Sequence, residues 1–248
     1  MKIIGIIPAR YASSRFPGKP LADIGGKSMV QRVYERTLLS KSLSSVVVAT
    51  DDNRIVEHVK AFGGNVVITS SNHQSGTDRC AEAATHFSDA ETIINIQGDE
   101  PFIQPEQIDL LAACFEKKET EIATLIKRIS DYTDLFNSNT PKVTIDKNFR
   151  ALYFSRSTIP FQRDVPESEL LNKHDYFKHI GIYGFRKKTL EKLTLLPVSR
   201  LEQAEALEQL RWMENGYKIQ TAETIHQSYG VDQPDDIIKI LKEFKHLL

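Results

Sequence analysis

Three cations crowd one short stretch near the start of the chain. Arg10, Arg15 and Lys19 lie within Pro8-Ala9-Arg10-Tyr11-Ala12-Ser13-Ser14-Arg15-Phe16-Pro17-Gly18-Lys19-Pro20-Leu21, and no acid accompanies them. Cations set this close without counter-charges suit a polyphosphate. The prolines and Gly18 forbid a helix there and hold an open turn. Gln97-Gly98-Asp99-Glu100-Pro101 places Asp99 where it can bind Mg2+ or cap a turn at a strand end. Gly230-Val231-Asp232-Gln233-Pro234-Asp235-Asp236 gives Asp232 as an N-cap for a last helix, with Asp235 and Asp236 at its positive end. Together these residue types point to the handling of a nucleoside triphosphate.

Further candidates come from single segments. Ser75-Gly76-Thr77-Asp78-Arg79 is a polar turn opening a helix, with Thr77 as a possible cap. Arg156 in Tyr153-Phe154-Ser155-Arg156 is suited to a bidentate contact with a carboxylate. His179 and Tyr183 are four residues apart on a strand, so they share a face, either as ligand contacts or as half-buried packing. Glu208 and Gln209 sit in a helical pattern whose leucines, Leu201, Leu207 and Leu210, form a core stripe. His73 has no partner in sequence and reads as a surface histidine.

The elements that must position these residues alternate. Ile3-Ile4-Gly5-Ile6-Ile7 is a strand buried on both faces, and Ser45–Ala49, Asn65–Thr69 and Thr92–Gln97 repeat the pattern. Between them, Ser28 caps a helix to about Leu39, Asp51 or Asp52 caps one that stops at Gly63, and Pro105 opens one reaching Lys117. Strand–helix–strand repetition implies right-handed crossovers and a parallel sheet, whose carboxyl ends bind ligands. The character changes near Ser130. Lys142–Asp146 and Ala151–Ser155 form a hairpin, and a polar stretch from Ser157 to Lys178 leads to a strand over His179–Phe185. One helix is expected over Leu201–Asn215 and another from Pro234 to the C-terminus. The fold class is α/β: a single domain over residues 1–248 with a mostly parallel central sheet flanked by helices and a small β-rich subdomain at roughly 130–186.

Composition excludes several classes. With 248 residues, 26% charged and a net charge of −1, nothing favours nucleic acid or an anionic membrane as partner. Cys80 and Cys114 lack metal-ligand spacing and are expected as buried free thiols. Met1-Lys2 runs straight into the first strand and no apolar run nears the length of a membrane span, so a cytoplasmic location is expected. The Gly-x-x-x-x-Gly-Lys-Ser/Thr pattern is absent, which excludes a P-loop enzyme.

The segments IIPARYASSRFPGKPL, VVVATDD, SGTDR, NIQGDEP, ALYFSR, KHIGIYGF, LEQLR and GVDQPDD follow one another over nearly the whole chain. In that order the chain resembles the sugar-activating nucleotidyltransferases, and among them the 3-deoxy-manno-octulosonate (Kdo) cytidylyltransferases, with a Rossmann-like fold. The resemblance implies transfer of CMP from CTP to Kdo, with release of pyrophosphate, for lipopolysaccharide biosynthesis. It implies that Pro8, Ala9, Arg10, Ser14, Arg15, Lys19, Ser75, Arg79 and Gln97 contact CTP, with Arg10, Lys19, Asp99 and Asp232 carrying catalysis. Asp99 and Asp232 would meet across the site as Mg2+ ligands. Arg156, His179, Tyr183, Glu208 and Gln209 would bind Kdo, and the β-rich portion would help build a homodimer. Ser228-Tyr229 departs from the small residues more usual before GVD. Sialic acid or 8-amino-Kdo as the acceptor, or a non-catalytic nucleotide sensor, are the competing expectations. Two intact metal carboxylates argue against the sensor, and the absence of an added acid in the sugar set favours Kdo over its amine.

Overall fold

The structure is a computed structural model that describes residues 1–12 and 16–247. The N-terminal apolar run forms β1 (Ile3–Ala9). It pairs in parallel with β2 (Ser45–Thr50) on one side, and β2 pairs in parallel in turn with β3 (Val66–Ile68). On its other side lies β4 (Thr92–Asn95), also parallel. With neighbours on both edges and helices on both faces, β1 can be apolar at nearly every position. Ile4 and Ile6 face one core layer, while Ile3, Ile7 and Ala9 face the other.

The helices divide between those layers. α1 (Met29–Leu38), α2 (Asn53–Ala61) and α4 (Pro105–Ala113) cover the face of Ile7. The opposite face is covered by α3 (Gly76–Ala84), with Cys80 fully buried in it. The expected caps are present. Ser28 Oγ accepts from Gln31 N at 3.2 Å, and Asp52 accepts from Arg54 N at 2.9 Å. Gly63 takes φ +79° just beyond α2, and Pro105 stands at the start of α4. The cap of α3 is Ser75, in a reciprocal pair with Asp78, and not Thr77. Of the two thiols, both free, Cys80 is buried but Cys114 only half-buried, since it sits where α4 gives way to a tighter turn.

Two strands carry no expectation from sequence: β5 (Ile122–Arg128) and, near the C-terminus, β9 (Ile219–Glu223). After the short α5 (Tyr132–Phe136), β6 (Lys142–Ile145) and β7 (Ala151–Ser155) form the anticipated antiparallel hairpin. α6 (Leu170–Lys173) precedes β8 (Phe177–Arg186), the longest strand. β8 lies antiparallel between β4 and β5 and also pairs with β6, so the hairpin is tied to the main sheet. The sheet order is β3-β2-β1-β4-β8-β5-β9, with β9 parallel to β5. The sheet is therefore mostly parallel, with β8 as the reversed strand through its middle.

α7 (Lys187–Leu193) and then α8 (Arg200–Glu205) and α9 (Gln209–Glu214) follow. The single helix expected over Leu201–Asn215 is broken, with Ala206 at φ +50°. Arg156 explains the break: its Nε and a terminal nitrogen donate to the carbonyls of Glu205 and Ala206 at 2.6 and 3.2 Å. A continuing helix would need those acceptors for its own N–H groups. α10 (Pro234–Glu243) is capped by Gln233, while Asp236 accepts from the backbone of both Asp232 and Gln233. The N-cap is thus Gln233, one residue after the expected Asp232. Phe102 stacks on Phe244 of the C-terminal segment at 4.6 Å, in a small core with Ile24, Met29 and Val231. No helix among the described residues is long and apolar enough to cross a membrane.

Candidate active site

The carboxyl ends of β1 and β4 open into a hollow of about 360 Å3 whose lining includes Pro8, Ala9, Arg10, Lys19, Arg79, Gln97 and Asp99. Of the expected nucleotide contacts, Ser14 and Arg15 lie outside the described residues and Ser75 does not line this hollow. Gly98 brings the two strands this close. A Cβ there would stand 2.7 Å from the Pro8 carbonyl oxygen, so no other residue fits. Gly18, at φ +74°, donates its N–H to the Tyr11 carbonyl at 2.9 Å and folds the basic turn back over the strand end.

Lys19 joins two parts of the chain. Its Nζ donates to Asp99 Oδ2 at 2.7 Å and to the Val231 carbonyl at 2.8 Å. Val231 N–H in turn donates to the Asp99 carbonyl at 2.9 Å. Asp232, the next residue, thus follows a backbone link to Asp99, while its side chain lines a separate hollow with Arg156, Asn139 and Lys239. Among the described residues no group of three or more His, Cys, Asp or Glu side chains could hold a metal ion. Two carboxylates completed by phosphate oxygens and water would suit Mg2+, a hard cation that takes oxygen ligands and keeps several waters. Glu100, next in line, is buried beside Asp99. Burial first, and the Asp99 charge second, push its pKa up to about 7.

Arg10 donates to the His73 carbonyl, and the His73 ring meets Glu82. His73 is therefore half-buried and paired rather than a free surface residue. Arg79 is fully buried, donates to Thr69 Oγ1 at 2.5 Å and faces Asp51 at 3.3 Å. Its Nε has no hydrogen-bond acceptor in the protein, and the terminal nitrogen that faces Asp51 is paired with it by charge without hydrogen-bond geometry. Buried guanidinium donors left open toward a hollow need an acceptor from a ligand. Ser75 does not line that hollow but caps α3, whose first residue, Gly76, does. Gln97 Nε2 donates to the Gly181 carbonyl at 2.8 Å, leaving its carbonyl oxygen to turn elsewhere.

The sugar set lies on the neighbouring part of the sheet. His179 packs against Phe154 and Tyr183, with ring centroids 5.3 and 5.2 Å away. Thr124 Oγ1 donates to backbone carbonyls, at 2.8 Å to Ile182, so it must accept from His179 Nε2–H at 2.9 Å. That fixes a neutral tautomer with Nδ1 open as an acceptor. Burial pushes the ring's pKa down to about 3. A base with a depressed pKa binds fewer protons folded than unfolded, so stability should fall as pH drops from about 6.5 toward that value. Histidine NMR is expected to show no His179 titration between pH 5 and 8. A resonance moving near pH 6.5 would disprove the neutral, buried ring.

Thr77 donates to Glu208 Oε2 at 2.8 Å, a contact the helix pattern did not reveal. Burial raises the Glu208 carboxyl, and Thr77 and Arg211 oppose the shift. Because α9 starts afresh after Ala206, Glu208 and Gln209 sit at a helix beginning rather than on a solvated helix face. The Tyr183 hydroxyl and Gln209 Nε2 are buried with no partner at full hydrogen-bonding distance, although Thr124 lies beside the Tyr183 hydroxyl. Burial, aided by the Glu208 charge, also raises Tyr183 well above its ordinary value. Arg156 is placed differently, in a hollow with Asn139, Asp232 and Lys239. Its Nε and both terminal nitrogens each donate to a carbonyl, of Glu205, Ser138 and Ala206. Five N–H groups less these three leave one on each terminal nitrogen for a bidentate contact. Ser228 and Tyr229 anchor their segment: Ser228 Oγ accepts from Gln107 at 3.4 Å, and Tyr229 packs on Phe244.

A family model described as cytidylyltransferase matches residues 4–219. The 3-deoxy-manno-octulosonate cytidylyltransferase of Bacteroides thetaiotaomicron is 54% identical over 248 residues, covering 98% of each chain. This chain belongs to that family. The enzyme of the same name from Parabacteroides distasonis is 55% identical over 246 residues, covering 97% of each. A solved structure of CMP:2-keto-3-deoxy-manno-octonic acid synthetase, complexed with CTP, superimposes with a TM-score of 0.92 over 100% of both chains at 43% identity. A cytidylyltransferase from Leptospira borgpetersenii shares the fold alone, with a TM-score of 0.62 at 19% identity.

Proposed function

We propose that this protein transfers CMP from CTP to Kdo, releasing pyrophosphate, and so activates Kdo for lipopolysaccharide biosynthesis. The observation that carries the reading is the meeting of Arg10, Lys19, Arg79, Gln97 and Asp99 around one hollow at the ends of β1 and β4. The anomeric hydroxyl of Kdo attacks the α-phosphorus, its bond to the bridging oxygen breaks, and pyrophosphate leaves. Such transfers depend on positioning and on neutralising phosphate charge. Arg10 and Lys19 hold the triphosphate, Arg79 and Gln97 address the nucleoside, and Ser75 fixes the turn beside it. Asp99 and Asp232 would hold Mg2+, which when bound supplies charge to the α-phosphate and acidifies a nearby hydroxyl. His179, Tyr183, Glu208 and Gln209 bind the hydroxyls of Kdo, and the two outward N–H groups of Arg156 meet its carboxylate. With its low pKa His179 is a poor base, so it orients the sugar through Nδ1 rather than taking its proton. Incubation with CTP, Mg2+ and Kdo should release pyrophosphate. No release with Kdo, but release with sialic acid or 8-amino-Kdo, would move the acceptor assignment.

The protein is further proposed to act as a homodimer. The β-rich portion exposes Leu152 and Phe161, the latter 88% exposed, near a hollow lined by Val143, Ile145, Leu171 and Phe177. Apolar surface of this kind favours a partner. Sedimentation at micromolar concentration should give a single species of twice the chain mass, and a monomer alone would refute the dimer.

A further inference from the structure

Three side-chain atoms in the layer against α3 are buried and unpaired: Asn95 Oδ1, the Tyr183 hydroxyl and Gln209 Nε2. Tyr183 and Gln209 already have a place in the sugar set, but Asn95 has none. It ends β4 directly opposite Tyr183 in the antiparallel ladder with β8. Directly opposed residues hold their Cβ atoms about 4.5–5.5 Å apart on one face of the sheet. Strand alternation gives Asn95 the face of Ile93, which belongs to the layer of Cys80 and Tyr183, while Ile94 and Ile96 serve the other layer.

A buried amide ordinarily bridges backbone groups and so contributes to the fold. Asn95 is only 4% exposed, yet its carbonyl oxygen meets no donor. A leucine of nearly the same shape would suit such a layer better, so the amide is costly unless something else satisfies it. Gly76 keeps space beside it: a Cβ there would lie 4.0 Å from Asn95 Nδ2 and 3.3 Å from the Pro8 ring. Gly76 and Pro8 also line the nucleotide hollow. Asn95 thus lies behind the wall of that hollow at Gly76 and, across the ladder, against Tyr183 of the sugar set.

We propose that Asn95 Oδ1 accepts a hydrogen bond from a hydroxyl of the sugar acid and sets its orientation relative to the nucleotide. The inference rests on the assignment of Tyr183 and Gln209 to the sugar. The three unpaired atoms are complementary to a polyol. Asn95 Oδ1 only accepts, Gln209 Nε2 only donates, and the Tyr183 hydroxyl does both. Each hydroxyl of a diol donates once and can accept, so two neighbouring hydroxyls satisfy all three.

Asn95→Leu tests this, because it removes the acceptor while suiting the apolar layer. The variant should melt at the wild-type temperature or above, with kcat/KM for Kdo reduced roughly 10–100-fold. KM for CTP should stay within about twofold, since the nucleotide contacts remain. Asn95→Ala, which leaves room for a water, should show the same selectivity with a smaller loss, and it serves if the leucine variant does not fold. Unchanged Kdo kinetics would overturn the inference, as would equal losses for both substrates together with a lowered melting temperature. A loss confined to CTP would instead assign the amide to the cytosine amino group. Wild-type protein that releases no pyrophosphate from CTP and Kdo would bring down the sugar-site reading itself. Active wild type with an indifferent Asn95→Leu would bring down Asn95 alone.

Discussion

Asp99→Asn and Asp232→Asn are each expected to lower turnover by about 10²–10³ while leaving the protein folded. Asn preserves the shape of Asp and removes the charge that a divalent cation requires. The fold should survive because the links at this point are made by the backbone. The Asp99 carbonyl accepts from Val231 N–H, and Asp232 N–H donates to Asp236. Neither bond involves the altered side chain. Asp99 has a second duty as the acceptor for Lys19, with side chains 32% and 17% exposed respectively. In Asp99→Asn the ammonium keeps only the Val231 carbonyl and a neutral amide oxygen. The measurement is pyrophosphate release against Mg2+ concentration, with a thermal melt to verify folding. Near-normal Mg2+-dependent turnover in either variant would remove that residue from the metal site. A lowered melting temperature with lost activity would point to a structural role instead.

The sequence shows this site unevenly, and the reasons are physical. β1, β2 and β4 lie between helices on both faces, so their apolar runs are nearly unbroken and visible without a structure. Ser28 and Asp52 announce helix starts because a cap acts on backbone two or three residues away. β5 is open to the same reading, since Ile122–Ile126 is nearly apolar and of strand length, whereas β9, Ile-Gln-Thr-Ala-Glu, has no such run. The break between α8 and α9 was not open to it. Arg156 causes it from about fifty positions upstream, by taking carbonyls that the local helical pattern assigns to the helix. That break is what turns Glu208 toward Thr77. Asn95 is similarly hidden, because a polar residue at a strand end looks like ordinary punctuation. Its meaning depends on Tyr183 arriving opposite it on β8, which returns antiparallel where simple alternation predicts a parallel crossover. The roles of single residues in the sugar set therefore came from resemblance, and their geometric reasons from tertiary contacts.

Lys19→Met is expected to reduce kcat/KM for CTP by roughly 10–100-fold, the range for losing a charge-assisted contact, and to affect Kdo much less. Arg10→Ala should act in the same direction. Both side chains line the hollow at the end of β1, but they differ in what holds them. Arg10 is tied to a backbone carbonyl in the His73 turn, whereas Lys19 spans Asp99 and Val231. An ammonium beside Asp99 keeps that carboxylate compensated, a charge that a divalent cation would supply in its place if held there. Lys19 can then turn its donors to the triphosphate, which lies on the same side of the turn in the proposed complex. Methionine keeps the length and apolar stem of lysine and removes only the charged end, so packing around Pro20 should persist. In Lys19→Met without metal, Asp99 loses its counter-charge and the Val231 carbonyl loses a donor. Hydrogen exchange over residues 230–247 should therefore speed up relative to wild type, while that over β1 and β2 should not. Separate titrations of CTP and Kdo, read as kcat and KM, check the catalytic half. A selective loss of Kdo affinity with CTP kinetics intact would remove Lys19 from the triphosphate site, and unchanged exchange would show that the Val231 N–H bond and the Phe102–Phe244 packing hold the C-terminal segment without Lys19.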